Sequence, residues 1–441
     1  MANVKQRQLC IGLSLTATWL KGKEAGREAA KGTQANSFDM YIELARIAER
    51  AKLDFVFQPD ALVMRAWGGR SPGFLSLDPT LLLTLIATKT ERIGLVTTIS
   101  TTFNPPYVVA RQLQSLHWIS GGRAGWNIVT SLDGAENFTS EAMPSAEQRY
   151  AKAREFTDVV RKLWASYPYE SLAADAAVDS GAERPQIKVI DHRGEYFSVK
   201  GPLNTPGHPK GTPPFFQAGA SDTGRNFAAS VADAIFASIP DMEAGVELCS
   251  DLRRRAIAQG RSEQAVRVLP GLYFFLAETG EQAQQLYEQA HAHLSRERRF
   301  ASIEMILGVD LSHLSDNQIV TEEMLPDPQK AVRSRTHANL LRRYICEHKP
   351  QVSELLRRPE VVGSAHWVSV GTVDDVLQDI ITWFEAGAMD GFIALPGGSV
   401  RSMELFFEQL VPKLVERGLY RSEYTGSSLR EHLRIEEASE A

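Results

Sequence analysis

The stretch "GGRAGWNIVTSLDGAENF", Gly121 to Phe138, decides how this chain is read. Gly121-Gly122 marks a turn, "AGWNIVTS" is an apolar run of strand length, and the run stops in small and acidic residues. Asn127 sits inside that run between Trp126 and Ile128, where little solvent is expected. A buried amide needs hydrogen-bond partners. Either another part of the protein supplies them or a ligand does.

Working outward, the same strand-then-helix unit recurs on both sides. Before it come the strand "LCIGLSL" and the helix "SFDMYIELARIAERAK", with Ser37 as N-cap. Next come the strand "LDFVFQPD" ending in Asp60, the helix "DPTLLLTLIATKT", the strand "RIGLVTTIS" and the helix "PPYVVARQLQSLHWIS". After it follow the helix "SAEQRYAKAREFTDVVRKLWASY", the strand "TPPFFQAGAS", the helix "DTGRNFAASVA" and the strand "DAIFASIP". Later strands are "VRVLPGLYFFLAET" and "FIALPG", and "VRSMELFFEQLVPKLVERG" is a closing helix. About eight strands, each followed by a helix, predict a parallel sheet with helices outside and a closed (β/α)8 TIM barrel. A doubly wound open sheet is the alternative, but no G-x-G-x-x-G follows the first strand.

The barrel is read as one domain over 1–441. Residues 170–205 form an insertion, a small acidic loop and then a hairpin around Arg193-Gly194; residues 296–362 form a polar helical insertion; 419–441 form a C-terminal arm. The apolar face of the closing helix and the arm point to a homo-oligomer, a dimer or tetramer.

Bulk composition narrows the class. The 441 residues are 43% hydrophobic and 23% charged, with a net charge of −6 and no long basic run, which argues against nucleic-acid binding. The three cysteines are widely spaced and form no C-x-x-C, so neither a zinc site nor a disulfide framework is expected, and a reducing cytoplasm is the default. Lys5 and Arg7 precede "LCIGLSLTATWL", but polar residues interrupt that run, so it reads as a first strand and not a secretory signal. No apolar run approaches the ~20 residues that span a bilayer.

In such barrels the chemistry sits where strands end. Those positions are Asp60, Thr97 to Ser100, Asn127 to Ser131, Gly219 to Ser221, Ser238 and Pro396 to Ser399. They are mostly neutral and hydrogen-bonding, with no dense carboxylate cluster and no metal motif, which suits a large planar organic ligand. In "QAGASDTGRNFAA", Gly219, Ala220 and Ser221 lead into a helix start, where free N–H groups receive a phosphate and Arg225 adds charge. The plain alternative is an N-cap beside a solvated arginine. Tyr150 has a packing alternative, and Asp60 a capping one. His117 reads as a packed surface histidine and His192 as part of the hairpin; His313 and His366 are not placed over a site, and no general base is named.

Five ordered motifs then carry a resemblance: "SGGRAGWNIVTS…AENF", "QRYAKAREFTDVVRKLWASY", "IDHRGEYFSVKGPLN", "QAGASDTGRNFAA" and "WFEAGAMDGFIALP". Together they resemble the nitrilotriacetate/EDTA/dibenzothiophene-sulfone monooxygenase group of the bacterial luciferase-like flavin enzymes, over about Leu9 to Leu419. The resemblance implies a two-component monooxygenase. It would use reduced FMN (FMNH2) from a separate NAD(P)H-dependent flavin reductase, O2 as co-substrate, a C4a-(hydro)peroxyflavin and no metal. By motif, Asp60, Thr97 and Thr98 lie near the flavin, and Asn127 hydrogen-bonds the isoalloxazine edge. Tyr150 and Ser221 hold the phosphate, which Gly219 and Ala220 line. A deazaflavin-dependent (F420) oxidoreductase of the same fold and a non-catalytic flavin-binding protein are the alternatives. The chain departs from the group at "LDGAENF" and at Val63 to Leu77. The latter holds Met64, Trp67, Phe74 and two arginines, Arg65 and Arg70, and reads either as rim packing or as a lid favouring a hydrophobic or heterocyclic substrate.

Overall fold

The computed structural model describes residues 7–16, 38–63, 77–176, 186–328, 332, 334–363 and 365–435. The barrel strands are β1 (Cys10–Ser14), β2 (Phe55–Gln58), β3 (Gly94–Ser100) and β4 (Ala124–Val129). A small hairpin, β5 (His192–Arg193) and β6 (Ser198–Val199), precedes β7 (Phe215–Gln217), β8 (Ala234–Ala237) and β9 (Arg267–Leu276); β10 (Trp367–Gly371) and β11 (Gly391–Pro396) follow. Strands such as β1, β3 and β11 are near-continuous apolar runs because a parallel barrel buries both faces of its strands.

The ring runs β1-β2-β3-β4-β7-β8-β9-β11 and closes through β11 and β1, all parallel, which excludes the open sheet. Followed round the registered pairs, Gly271 of β9 leads through Ile393, Gly12, Phe55 and Gly94 back to position 263, eight residues earlier. A stagger of eight is that of a TIM barrel. Aromatic rings fill the interior: Phe55 meets Phe216 edge-on at 5.0 Å and Phe57 meets Phe236 at 5.3 Å. Gly12 makes room for this, since a Cβ there would lie 2.3 Å from the Phe55 ring.

Three segments add to the ring. β10 was not foreseen; it pairs with β9 over Leu272–Leu276, just beyond the stretch of β9 that pairs with β8. Its buried and half-buried residues alternate, as on a strand covered on one face only, so it lacks the unbroken apolar run of a barrel strand. The helical insertion has its own core, including Phe300, Ile303, Leu341, Ile345 and Leu355. Arg343 and Arg358 tie it to Asp241 at 2.7 and 3.1 Å.

The C-terminal segment folds under its own barrel. Leu429 and Leu433 join the interior cluster of Phe55, Val96 and Phe216. Leu429 lies where a Cβ on Gly94 or Gly125 would fall, at 2.5 and 2.7 Å, and its N–H donates to the Gly122 carbonyl at 3.1 Å. Beside it, buried Asp54 pairs with Arg421. The closing helical segment likewise buries Met403, Phe406, Leu410 and Leu414 against the barrel. The apolar faces invoked for an oligomer are thus used within the chain. Exposed apolar residues are scattered over the surface, among them Leu81 at 72%, Val108 at 43% and Ile119 at 53% on the helices after β2 and β3. Among the described residues no helix is long and apolar enough to cross a membrane.

Candidate flavin site

Thr98 and Asn127 are register partners on β3 and β4. Asn127 Nδ2 donates to Thr98 Oγ1 at 3.0 Å, and Thr98 Oγ1 donates to the Gln58 carbonyl at 2.8 Å. The chain of bonds uses the amide nitrogen and leaves the oxygen: Asn127 Oδ1 is buried with no hydrogen-bond partner. A buried unsatisfied acceptor costs roughly 1–3 kcal/mol. Gln58 Oε1 and Gln217 Oε1, at the ends of β2 and β7, are in the same condition. Just past β4, Ser131 has φ +52° and shares a 2.8 Å hydroxyl contact with Ser100. Such left-handed strain in a non-glycine residue collects at functional sites.

One strand over, β7 ends at Gln217 and the backbone passes Gly219 and Ala220 to Ser221. Ser221 caps the helix Asp222–Val231 by accepting from the Gly224 N–H. Tyr150, on the helix Ala146–Ala165, reaches this turn: Gln217 Nε2 donates to its hydroxyl at 3.2 Å, and Thr130 and Ser221 flank it. A Cβ on Gly219 would lie 2.8 Å from that hydroxyl, and one on Gly224 2.9 Å. The two glycines therefore keep a cradle open around a donor. Burial pushes the Tyr150 phenol above its ordinary pKa, so it stays a neutral donor.

Arg149, missed from sequence, is the neighbouring cation, and its Nη1 donates to the Pro144 carbonyl at 2.5 Å. It is half-buried beside Tyr150, and its Nε is buried without a partner. Adjacency to Tyr150 was the available signal. Arg225 does not supply the charge expected of it: the guanidinium is held by Glu247 at 2.5 Å and Asp251 at 3.0 Å, and its Nε donates to the Ala220 carbonyl at 2.9 Å. It braces the turn.

Thr98 and Asn127 are thus brought together inside the barrel, and Tyr150, Gly219, Ala220 and Ser221 gather on the adjoining strand. Thr97 is turned away, its hydroxyl 2.9 Å from that of Thr80 on the outer helix. Asp60 lies two residues past β2, half-buried, and accepts from the Ala61 N–H at 2.8 Å; burial, helped by Asp78, raises its pKa. Met64, Trp67 and Phe74 lie outside the described residues.

The histidines stand apart from this group. His117 is a correction: it is fully buried, edge-on to His208 at 4.8 Å, with its pKa pulled down to about 3 by desolvation. His366 stacks on Phe236 at 5.2 Å, also depressed to about 3 by burial. His192 anchors the hairpin to Glu155 at 3.0 Å. Among the described residues no cluster of three metal-ligating side chains exists.

A closed parallel barrel of this stagger, with unpaired amides and a glycine-lined turn where its strands end, has the luciferase-like architecture. The chain belongs to the luciferase-like monooxygenase family, whose model matches residues 20–390. It is 36% identical to nitrilotriacetate monooxygenase component A of Aminobacter aminovorans, over 92% of this chain and 91% of that one. The solved EDTA monooxygenase of Chelativorans sp. BNC1 is 29% identical and superposes with a TM-score of 0.80 over 98% of this chain and 99% of that one. A riboflavin lyase solved with modified FMN and riboflavin is also 29% identical, with a TM-score of 0.79 over 98% and 96%. The coenzyme F420-dependent tetrahydromethanopterin reductase of Methanopyrus kandleri, 14% identical with a TM-score of 0.58 over 92% and 99%, shares the fold alone.

Proposed function

We propose that this chain is the oxygenase component of a two-component system, taking reduced FMN from a separate NAD(P)H-dependent flavin reductase and O2 as co-substrate. The observation that carries this reading is the unpaired Asn127 Oδ1 at the end of a fixed hydrogen-bond chain. It is an acceptor awaiting an N–H, and the isoalloxazine edge has one. Arg149, Tyr150 and Ser221 suit the phosphate: one cation and two hydroxyls on a turn that two glycines keep open. When bound, the reduced flavin supplies the electrons that activate O2 for insertion of one oxygen atom into a small organic substrate. The protein's part is to hold the ring edge at Asn127, anchor the phosphate, and keep the reacting face dry against the aromatic interior of Phe57 and Phe236.

The same reading includes a cytoplasmic location, a homodimer or homotetramer formed through the exposed Leu81, Val108 and Ile119 face, and a hydrophobic or heterocyclic substrate. O2 consumption and product formation are measured with FMN, NADH and an added reductase. Turnover under strict anaerobiosis overturns the oxygenase reading. A panel comparing chelated nitrilotriacetate with sulfones, halogenated phenols and long alkanes tests the substrate class; oxidation of the aminopolycarboxylate alone refutes the hydrophobic preference.

A further inference from the structure

We propose that the groove between the loop after β3 and the β5–β6 hairpin, on the outer flank of the barrel, binds a planar aromatic anion. The groove holds about 620 Å³, within the size range of small-molecule sites. Tyr107, Tyr196 and Phe197 give it aromatic surface beside Phe103, which stacks on Phe138 at 4.5 Å; Lys152 brings an ammonium to it, and exposed Lys200 is part of its lining. Lys152 Nζ is tethered to the Thr102 carbonyl at 2.8 Å and lies 5.7 Å from the Phe197 ring centre. That leaves N–H donors free over an aromatic face. Neither lysine forms an ion pair among the described residues. Partial burial lowers the Lys152 pKa, as expected for a cation that no anion faces. Aromatic stacking and a charge-assisted hydrogen bond are what a flat anion needs.

The walls are built in advance. The Glu155 carboxylate accepts from the N–H groups of Tyr196 and Phe197 at 3.0 and 2.9 Å and bonds His192 at 3.0 Å, which pins the hairpin to the helix Ala146–Ala165. Gly194 permits this approach, since a Cβ there would meet Glu155 Oε1 at 2.1 Å. Opposite, Asn104 Nδ2 holds the loop to the Ser100 carbonyl at 2.8 Å. Such preorganisation lowers the cost of binding. It also gives a purpose to the motif "IDHRGEYFSVKGPLN", which the flavin site does not use. The groove and the cradle are separate: Tyr150 meets Gln217 across the helix, whereas Lys152, two residues on, meets Thr102 and Phe197.

A flat aromatic anion has two sources here, a second flavin nucleotide waiting to enter the barrel or an acidic aromatic substrate; that choice rests on the proposed monooxygenase activity, and the groove itself does not. Equilibrium dialysis of the full-length chain with naphthalene-2-sulfonate, FMN and riboflavin separates them. Parent, Lys152→Ala, Lys200→Glu and Ser221→Ala are compared, with denaturation midpoints measured for each. Lys200 is exposed, so its variant tests the groove even where Lys152→Ala disturbs the fold. Naphthalene-2-sulfonate binds the parent, about ten-fold or more weaker in both lysine variants, and equally well in Ser221→Ala. A second equivalent of FMN, but not of riboflavin, that disappears in Lys200→Glu identifies a flavin nucleotide as occupant. FMN binding confined to the Ser221-dependent site assigns the groove to the acidic substrate. Absence of naphthalene-2-sulfonate binding, or equal binding in parent and Lys200→Glu, overturns the proposal. Unchanged FMN affinity in Ser221→Ala overturns the cradle instead and leaves the groove standing.

Discussion

The two ends of this barrel are finished differently. At the end where strands begin, the chain closes its own opening: Leu429 and Leu433 fill the space over Gly94 and Gly125, and Asp54 is met by Arg421. At the end where strands stop, buried amide oxygens of Gln58, Asn127 and Gln217 lack partners, and two glycines keep a cradle open. One end is filled by the chain's own side chains, and the other keeps unpaired acceptors beside an open turn, the arrangement that the proposed flavin would complete. Stability and ligand binding should therefore respond to mutation at opposite ends.

The strongest way to break that comparison is at the closed end. Leu429 is fully buried against glycines that cannot follow it if it shrinks. Leu429→Ala should cost about 2–5 kcal/mol of stability, read by denaturant titration, with FMN affinity unchanged once the protein is folded. An equal loss of flavin binding in the folded variant would show that the two ends are coupled.

At the open end the expected pattern reverses. Ser221→Ala and Tyr150→Phe each remove a hydrogen bond to a charged phosphate, worth on the order of 1.5–3 kcal/mol, or roughly ten- to a hundred-fold in affinity. Tyr150→Phe should also cost roughly 1–3 kcal/mol of stability, because the buried Gln217 Nε2 donor loses its partner. Ser221→Ala should also lose the N-cap contribution of about 0.5–2 kcal/mol. FMN titration and thermal melts on the same samples separate the two effects; undiminished affinity in both variants would remove these residues from the phosphate site.

Asn127→Leu sharpens the contrast further. It removes an acceptor that costs stability in the free protein, together with the Asn127 Nδ2 bond to Thr98 Oγ1, and puts a side chain of the same branched shape but larger in its place, while Thr98 keeps its bond to the Gln58 carbonyl. Stability without ligand should hold or rise by up to about 1 kcal/mol, and flavin affinity should fall about ten-fold. A clear drop in the melting temperature of the ligand-free variant would mean that Asn127 is structural.

How far this division could be read in advance depended on sequence range. The ring strands were legible because strands such as β1, β3 and β11 are unbroken apolar runs, and Asn127 was visible because it interrupts one. β10 escaped because alternation in "WVSVG" resembles surface patterning. The plug escaped because Leu429 and Leu433 lie in a helix of five residues, too short to show periodicity. Arg225 was read as the added charge, with a solvated arginine as the alternative, and Arg149 was not singled out. Both are arginines near a turn, and only the fold sets Glu247 and Asp251 against one of them and leaves the other beside Tyr150.

The last expected effect concerns pH, and it belongs to the closed end. His117 leads up to the Gly121-Gly122 turn at the start of β4, buried against His208, with its pKa depressed by desolvation to about 3. In the unfolded chain a histidine titrates near 6.5. Between these values the unfolded state binds the extra proton, so stability rises with pH there; the contribution is fully present above about 6.5 and is lost as pH falls toward 3. The slope from one such group approaches about 1.4 kcal/mol per pH unit. Lowering the pH from 7 to 5.5 should therefore reduce the unfolding free energy, and His117→Phe should flatten that slope by up to one proton. The cradle has no group titrating in that window, since Tyr150 is pushed upward and Arg149 stays charged. FMN affinity of the folded protein should accordingly change only as the phosphate itself takes up its second proton near pH 6, and riboflavin affinity should not change at all. A parallel fall of riboflavin binding and stability across pH 7 to 5.5 would show that the histidine end reports to the flavin end.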